Sequence, residues 1–176
     1  MHAEVARQAV TDELTGLANN RRFGEALQRE LERAERFGHP LGLVMIDLDD
    51  FKEVNDTHGH LQGDAVLREV ADVLRSHSRA VDEPARYGGE ELAIVLPETD
   101  LAGTRLLAER IRAAVAERAV PHVNDGDPLH ITASFGIASF PVDGTDRDGL
   151  IEAADSALYR AKRGGKNRVE AARDAT

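Results

Sequence analysis

The chain of 176 residues contains no cysteine, so it can form neither a disulfide framework nor a thiolate metal site. That absence fits a cytoplasmic chain, and a cytoplasmic location is the expectation. No stretch approaches the roughly 18 consecutive apolar residues of a membrane span, and the residues after Met1 are mixed and polar, without a signal-peptide core. Positive charge is scarce as well. Twenty-two Lys and Arg stand against 32 Asp and Glu, a net charge of −10. Such a balance argues against non-specific binding to DNA, RNA or anionic lipid, so neither nucleic acid nor membrane is an expected partner. It leaves room for an anionic small ligand, provided that metal ions or a few well-placed cations meet its charge. Repeats and low-complexity tracts are also missing, and a composition 41% apolar and 31% charged suits one globular domain with a real core.

What is present alternates helical and extended patterns. Ala3 to Val10 is helix-compatible but too short to stand alone; residues 1–10 read as the end of a longer stalk whose sensor domain is not in this sequence. Asn19 or Asn20 caps a helix running to about Phe37, with Phe23, Ala26, Leu27, Leu31 and Ala34 on one stripe. Leu41 to Asp47 is a continuous apolar run, the pattern of a strand covered on both faces. A polar loop is expected over Asp49 to His60, a helix over Leu61 to His77, and a hairpin of Pro84 to Tyr87 with Glu91 to Leu96 around Gly88-Gly89. A helix over Leu101 to Ala119, a loop over 121–128, a strand over His130 to Phe140 and a helix over Leu150 to Arg163 follow. Asn167 to Ala171 is a short edge strand, and residues 171–176 are expected to fray. The hairpin forces at least one antiparallel pair, so this order predicts an α+β sandwich rather than a doubly wound sheet.

Carboxylates crowd two places. Asp47, Asp49 and Asp50 surround the end of the first strand, and Glu90 and Glu91 leave the glycine turn. If the hairpin pairs beside the first strand, Asp47 and Glu90 meet. Carboxylates at the ends of buried strands are costly without positive charge on them. Hard divalent cations take oxygen ligands from one or two carboxylates plus substrate phosphates. Against this stands the plain alternative of solvated strand ends. Gly88-Gly89 permit positive φ and close approach of backbone to a ligand, or simply make a hairpin turn. Asn55 and Asp64 could read a purine edge, since an amide both donates and accepts and a carboxylate accepts from N–H groups; helix capping is the competing role. His58-x-His60 lacks the further ligands that zinc needs. Lys52, Lys162, Lys166 and Arg168 could meet phosphate, although Lys162 also suits a helix C-terminus.

Together these pieces resemble the GGDEF family, the diguanylate cyclase domains of bacterial signalling. The resemblance runs over roughly residues 11–170. It rests on Asp12-Glu13-Leu14-Thr15-Gly16-Leu17-Ala18-Asn19, on Asp47-Leu48-Asp49-Asp50-Phe51-Lys52-Glu53-Val54-Asn55-Asp56 with Gly59-His60 and Gly63-Asp64, on Gly88-Gly89-Glu90-Glu91-Leu92, and on Ala161-Lys162 with Gly165-Lys166-Asn167-Arg168.

The resemblance implies a palm-like, ferredoxin-like or nucleotide-cyclase-like α+β fold, with a central, mostly antiparallel sheet flanked by helices. It implies Mg²⁺, or Mn²⁺, on Asp47, Glu90 and the Leu48 carbonyl, guanine on Asn55 and Asp64, and phosphates facing Lys52, Lys162 and Lys166. Glu91 would help activate the attacking hydroxyl. The implied reaction joins two GTP into cyclic di-GMP and two pyrophosphates between the domains of a homodimer; a catalytically silent GTP or cyclic di-GMP sensor is the alternative. Arg79-Ala80-Val81-Asp82, five residues ahead of Gly88, resembles the family's inhibitory product site, to which Arg110 would add a second arginine. Three positions depart from the pattern: Leu92 for Phe, Asn20 for Arg, and Lys166 where Arg is common.

Overall fold

The computed structural model describes residues 9–174. Helix α1, Asn20–Phe37, is capped by Asn19, whose side chain accepts from the Arg22 amide, and it ends at Gly38 in the left-handed region. Strand β1, Leu41–Leu48, is buried along its whole length. Helices α2 (Phe51–His58) and α3 (His60–His77) follow, then strands β2 (Glu83–Arg86) and β3 (Glu91–Pro97), helix α4 (Leu101–Glu117), strand β4 (Ala133–Phe140), helix α5 (Arg147–Arg163) and strand β5 (Val169–Ala171). The strands form one sheet in the order β2-β3-β1-β4-β5, antiparallel except for the β4–β5 pair. The expected α+β architecture is therefore present, with β1 at its centre.

Alternation along β1 decides what each face does. Val44, Ile46 and Leu48 join Val66, Val70 and Leu74 of α3 and Leu107 and Ile111 of α4 in one apolar layer. Leu41, Leu43 and Met45 join Phe23, Leu27 and Leu31 of α1 and Ala154 and Leu158 of α5 in the other. Asp47 continues the odd-numbered series, so its side chain belongs to the α5 face.

One element differs in kind from expectation. The segment expected as a polar loop contains α2. Asp50 turns the chain in the left-handed region (φ 56°), and Phe51 is the one buried residue of the helix. Only Phe51 and half-buried Val54 mark its inner side, so the apolar period is too short to read. Other boundaries shift by a few residues: β4 begins at Ala133, α4 ends at Glu117 and α5 begins at Arg147. The stalk expected over residues 1–10 falls largely outside the described residues. The tail expected to fray from Ala171 carries a 3₁₀ turn, Ala172–Asp174, and Asp174 pairs with Arg105 at 3.1 Å and accepts from the Ala171 amide. Among the described residues no helix is long and apolar enough to cross a membrane.

Residues 11–18 form a compact turn that extends the sheet edge. Ala18 bridges Ala85 of β2, and the Arg86 amide donates to the Ala18 carbonyl at 2.8 Å. On the opposite side of β1, α5 lies so close to β4 that a Cβ on Gly136 would overlap the Ala154 carbonyl and the Leu158 backbone. Backbone cannot rotate away as a side chain can. Gly136→Ala is therefore expected to lower stability by about 1–3 kcal/mol, the usual penalty of overpacking, read as the urea unfolding midpoint; an unchanged midpoint would mean that α5 does not rest on Gly136.

Candidate active site

The pairing of β1 with β3 brings the two carboxylate groups together. Asp47 lies opposite Glu91 on one side and Ser134 on the other, and the Leu48 amide donates to the Glu90 carbonyl at 3.2 Å. Asp47 is 8% exposed. Lys162 of α5 sits across the sheet face with its Nζ 2.8 Å from Asp47 Oδ1, an ion pair whose alignment falls short of a hydrogen bond, and this buried oxygen has no hydrogen-bond partner. Burial pushes the Asp47 carboxyl above its ordinary value; the Lys162 ammonium pulls it back only in part, and the charge of Asp49 raises it further. Glu90 and Glu91 are raised as well, by burial first and then by Asp47, with Asp155 adding to Glu91 and Lys162 offsetting both. Three carboxyls held above their usual range by burial and by one another favour a cation beside them, although among the described residues no three His, Cys, Asp or Glu side chains are grouped as a metal site. The oxygen donors of Asp47 and Glu90 are of the type that Mg²⁺ or Mn²⁺ takes; Leu48, expected to contribute its carbonyl, follows Asp47 on β1 and bonds Glu90 through its amide.

A cleft of about 370 Å³ opens beside this cluster, lined by Phe51, Lys52, Asn55, His60, Asp64, Leu67, Arg86, Gly89 and Glu90. The expected base-reading pair, Asn55 and Asp64, thus shares one cavity with Lys52 and Glu90. Helices α2 and α3 cross where Asn55 meets Gly63: a Cβ on Gly63 would overlap Asn55 Oδ1, so the glycine is the space in which the carboxamide is held. A larger open groove of about 620 Å³ runs along α5 beside Tyr87 and Asp155, and none of the expected site residues lines it.

The glycine turn corrects one expectation. Neither Gly88 nor Gly89 has a positive φ. A Cβ on Gly89 would meet nothing within 4 Å and would project from a residue that lines the cleft. The glycines therefore leave space next to the carboxylates rather than supply an unusual backbone. Arg86, which sequence reasoning passed over, holds the turn. Its Nε and Nη2 donate to the Gly89 carbonyl at 3.1 and 2.8 Å, and Nε also reaches the Gly88 carbonyl. Its Nη1 pairs with Asp12 at 3.3 Å. Burial would raise the Asp12 carboxyl, but the Thr15 hydroxyl and amide and Arg86 outweigh it and hold Asp12 below its ordinary value. A single arginine two residues ahead of a glycine pair was the available signal.

Two of the expected cations, Lys162 and Lys166, are paired with carboxylates. Lys166 Nζ donates to Asp50 Oδ1 at 2.6 Å, and Lys166 and Asn167 both turn in the left-handed region. Arg168 folds back on the Lys166 carbonyl. Asp49, 3% exposed, accepts from the Thr132 and Ser134 hydroxyls, each at 2.7 Å, and from the Asn167 amide at 3.0 Å. It is a structural carboxylate that binds the end of β1 to β4 and to the loop carrying Lys166.

Arg79, Asp82 and Arg110 also come together, in a separate cavity of about 200 Å³ shared with His77, Thr99 and Leu107. The guanidinium of Arg79 is already engaged there: it forks onto Asp82, with Nη2 2.8 Å from Oδ1, and Nη2 also donates to the Pro97 carbonyl and Thr99 hydroxyl. Among the described residues, its Nη1 has no hydrogen-bond partner. Asp82, almost wholly buried, is thus the partner that orients Arg79.

Comparison with known proteins places this geometry in context. The family described as "Diguanylate cyclase, GGDEF domain" matches residues 9–168. The chain is 47% identical to diguanylate cyclase DgcP of Pseudomonas aeruginosa over 97% of its own length and 25% of that protein's, and 42% identical to response regulator PleD of Caulobacter vibrioides over 92% and 36%. It therefore spans between a quarter and about a third of these relatives. Among solved structures, it superposes on the GGDEF domain of DgcB from Caulobacter crescentus in complex with c-di-GMP with a TM-score of 0.88, at 40% identity, covering 95% of this chain and 98% of that one. The active GGEEF domain of a Vibrio cholerae diguanylate cyclase matches with a TM-score of 0.81 and 35% identity, over 88% and 97%.

The raised carboxyls have a consequence for stability. A carboxyl whose folded pKa exceeds its unfolded value contributes stability at low pH that is lost as pH rises through the folded pKa. Glu90→Gln removes one such group and its repulsion with Asp47. The variant without metal is expected to melt about 1–3 °C higher than the parent at pH 7–8, with the gap closing as the pH falls toward 4, measured by thermal scans across that range. A lower melting temperature at pH 8 would contradict the repulsion.

Proposed function

Because the chain belongs to the GGDEF-domain diguanylate cyclase family, we propose that it condenses two molecules of GTP into cyclic di-GMP, releasing two pyrophosphates. The observation that carries this reading is that Glu90, whose carboxyl is raised in part by the charge of buried Asp47, lines one cleft with Lys52, Asn55 and Asp64. The diguanylate cyclases among its relatives and the c-di-GMP complex of the DgcB domain support the chemistry.

Each part of the chain has a task. Asn55 and Asp64 pair with the donor and acceptor edge of guanine. Lys52, Lys162 and Lys166 neutralise phosphate, the last two exchanging Asp47 and Asp50 for phosphate oxygens as nucleotide enters. Asp47, Glu90 and the Leu48 carbonyl hold Mg²⁺, or Mn²⁺ in its place, which supplies electrophilic polarisation of the phosphates. Glu91 accepts the proton of the attacking 3′-hydroxyl; its raised pKa makes it a better base than a solvated carboxylate. The oxygen then forms a bond to the α-phosphorus of the facing GTP as the bond to pyrophosphate breaks. The product needs this step twice and is itself two-fold symmetric, so two copies of the domain face each other, each holding one GTP. Product binds in turn at Arg79, Asp82 and Arg110, where Arg79 Nη1 and Arg110 present positive charge to its phosphates.

Incubation with GTP and Mg²⁺ is expected to yield cyclic di-GMP, with specific activity rising with protein concentration as the dimer forms. Glu90→Gln should lower turnover by about 100-fold or more, the scale of losing an electrostatic group aimed at the transition state. Cyclic GMP as product, or no turnover at any concentration, would overturn the reading. Arg79→Ala should keep turnover within about 2-fold while relieving inhibition by added cyclic di-GMP by about 10-fold or more, as expected when a charge-assisted fork is lost. Unchanged inhibition would remove the product from that pocket.

A further inference from the structure

We propose that Asn20 is a positioning residue for the reaction: the first turn of α1 grips Tyr87 and thereby holds the glycine turn so that Glu90 stays beside Asp47. The inference rests on the cyclase reading above for its kinetic consequence and on the contacts alone for its structural one. Asn20 stands where the family pattern has arginine, yet it is engaged here. Its Nδ2 donates to the Tyr87 carbonyl at 2.8 Å, across 67 positions of sequence. One turn further along the same helix, Phe23 meets the Tyr87 ring edge-on, with centroids 5.4 Å apart. Between them, Arg22 Nε pairs with Glu83 at the start of β2 at 2.6 Å. Three residues of α1 thus fasten both ends of β2.

The target of this grip is the residue from which the turn springs. The amides of Tyr87 and Gly88 both donate to the Glu91 carbonyl, at 2.8 and 3.1 Å, which closes the turn. Arg86 takes the next two carbonyls, those of Gly88 and Gly89. With Asn20 on Tyr87, three successive carbonyls are held from side chains, and the turn is fixed without any positive φ. Freed at Tyr87, it can pivot, and Glu90 is the first side chain it carries.

The test uses Asn20→Ala and the near-isosteric Asn20→Asp, which lacks the donor. In hydrogen exchange of the protein without nucleotide or metal, both variants should exchange faster at residues 87–91 and match the parent elsewhere, with thermal midpoints unchanged. In turnover, kcat should fall about 2- to 10-fold, the range of one hydrogen bond. The Mg²⁺ concentration for half-maximal rate should rise, and KM for GTP at saturating Mg²⁺ should stay within about 2-fold. Parent-like exchange at 87–91, or parent-like Mg²⁺ dependence, overturns the proposal. Faster exchange throughout the domain with a lowered midpoint also overturns it, since Asn20 would then be a general stabiliser. A parent without cyclase activity would sink the functional reading but leave the exchange result to decide the grip.

Discussion

Asp47 is the constraint on which the rest of the structure depends. It is the continuation of an apolar strand, buried like its neighbours, and the alternation that sends Leu43 and Met45 into the core sends its carboxylate into the same layer. A charge there must be met, and what meets it is Lys162, from a helix that can reach because Gly136 lets α5 rest against β4. The ion pair is incomplete: one oxygen is buried without a hydrogen bond, and the carboxyl remains above its ordinary value despite the lysine. One ammonium beside three carboxyls leaves the local charge negative, which is why all three carboxyls stay above their ordinary values.

The hairpin of β2 and β3 ties this centre to the second cavity. Arg79 and Asp82 stand at its open end, where Arg79 also bonds to the Pro97 carbonyl at the close of β3. Arg86 and the glycine turn stand at its closed end. The four residues of β2 separate them by about 13 Å at the usual rise of a strand. The cavity of Arg79 and Arg110 and the cleft of Asn55 and Asp64 are thus joined by paired backbone and share no lining residue. The same strand is gripped by α1 and bridged by Ala18, so three parts of the chain converge on one short element at the sheet edge.

Much of this was legible in the sequence, and for physical reasons. Leu41 to Asp47 reads as a central strand because both faces are covered and no polar residue interrupts the run before Asp47, and the strand ends one residue later, at Leu48. The approach of Asp47 to the glycine turn follows once the hairpin is paired beside that strand, although the register sets Glu91 rather than Glu90 opposite it, and the sharing of one cleft by Asn55, Asp64 and Lys52 follows from their flanking one helix–helix crossing. What was not legible depends on contacts distant in sequence or on backbone angles. Helix α2 hid behind its polarity, since only Phe51 is buried. Asp49 stood in the same carboxylate crowd as Asp47 and is consumed by two hydroxyls and an amide from residues more than 80 positions away. Nothing in Asn20 itself points to Tyr87.

Of the two reasons to expect glycine at this turn, positive φ and room for a ligand, the backbone removes the first. The remaining reason is steric. At Gly89 a side chain would meet no obstruction and would stand at the cleft that Gly89 lines beside Glu90. Glycine that the fold tolerates but does not require is better explained by what approaches it than by the chain it belongs to. The same logic separates Gly63, whose missing side chain is occupied by Asn55 within the protein, from Gly89, whose missing side chain is occupied by nothing the protein supplies.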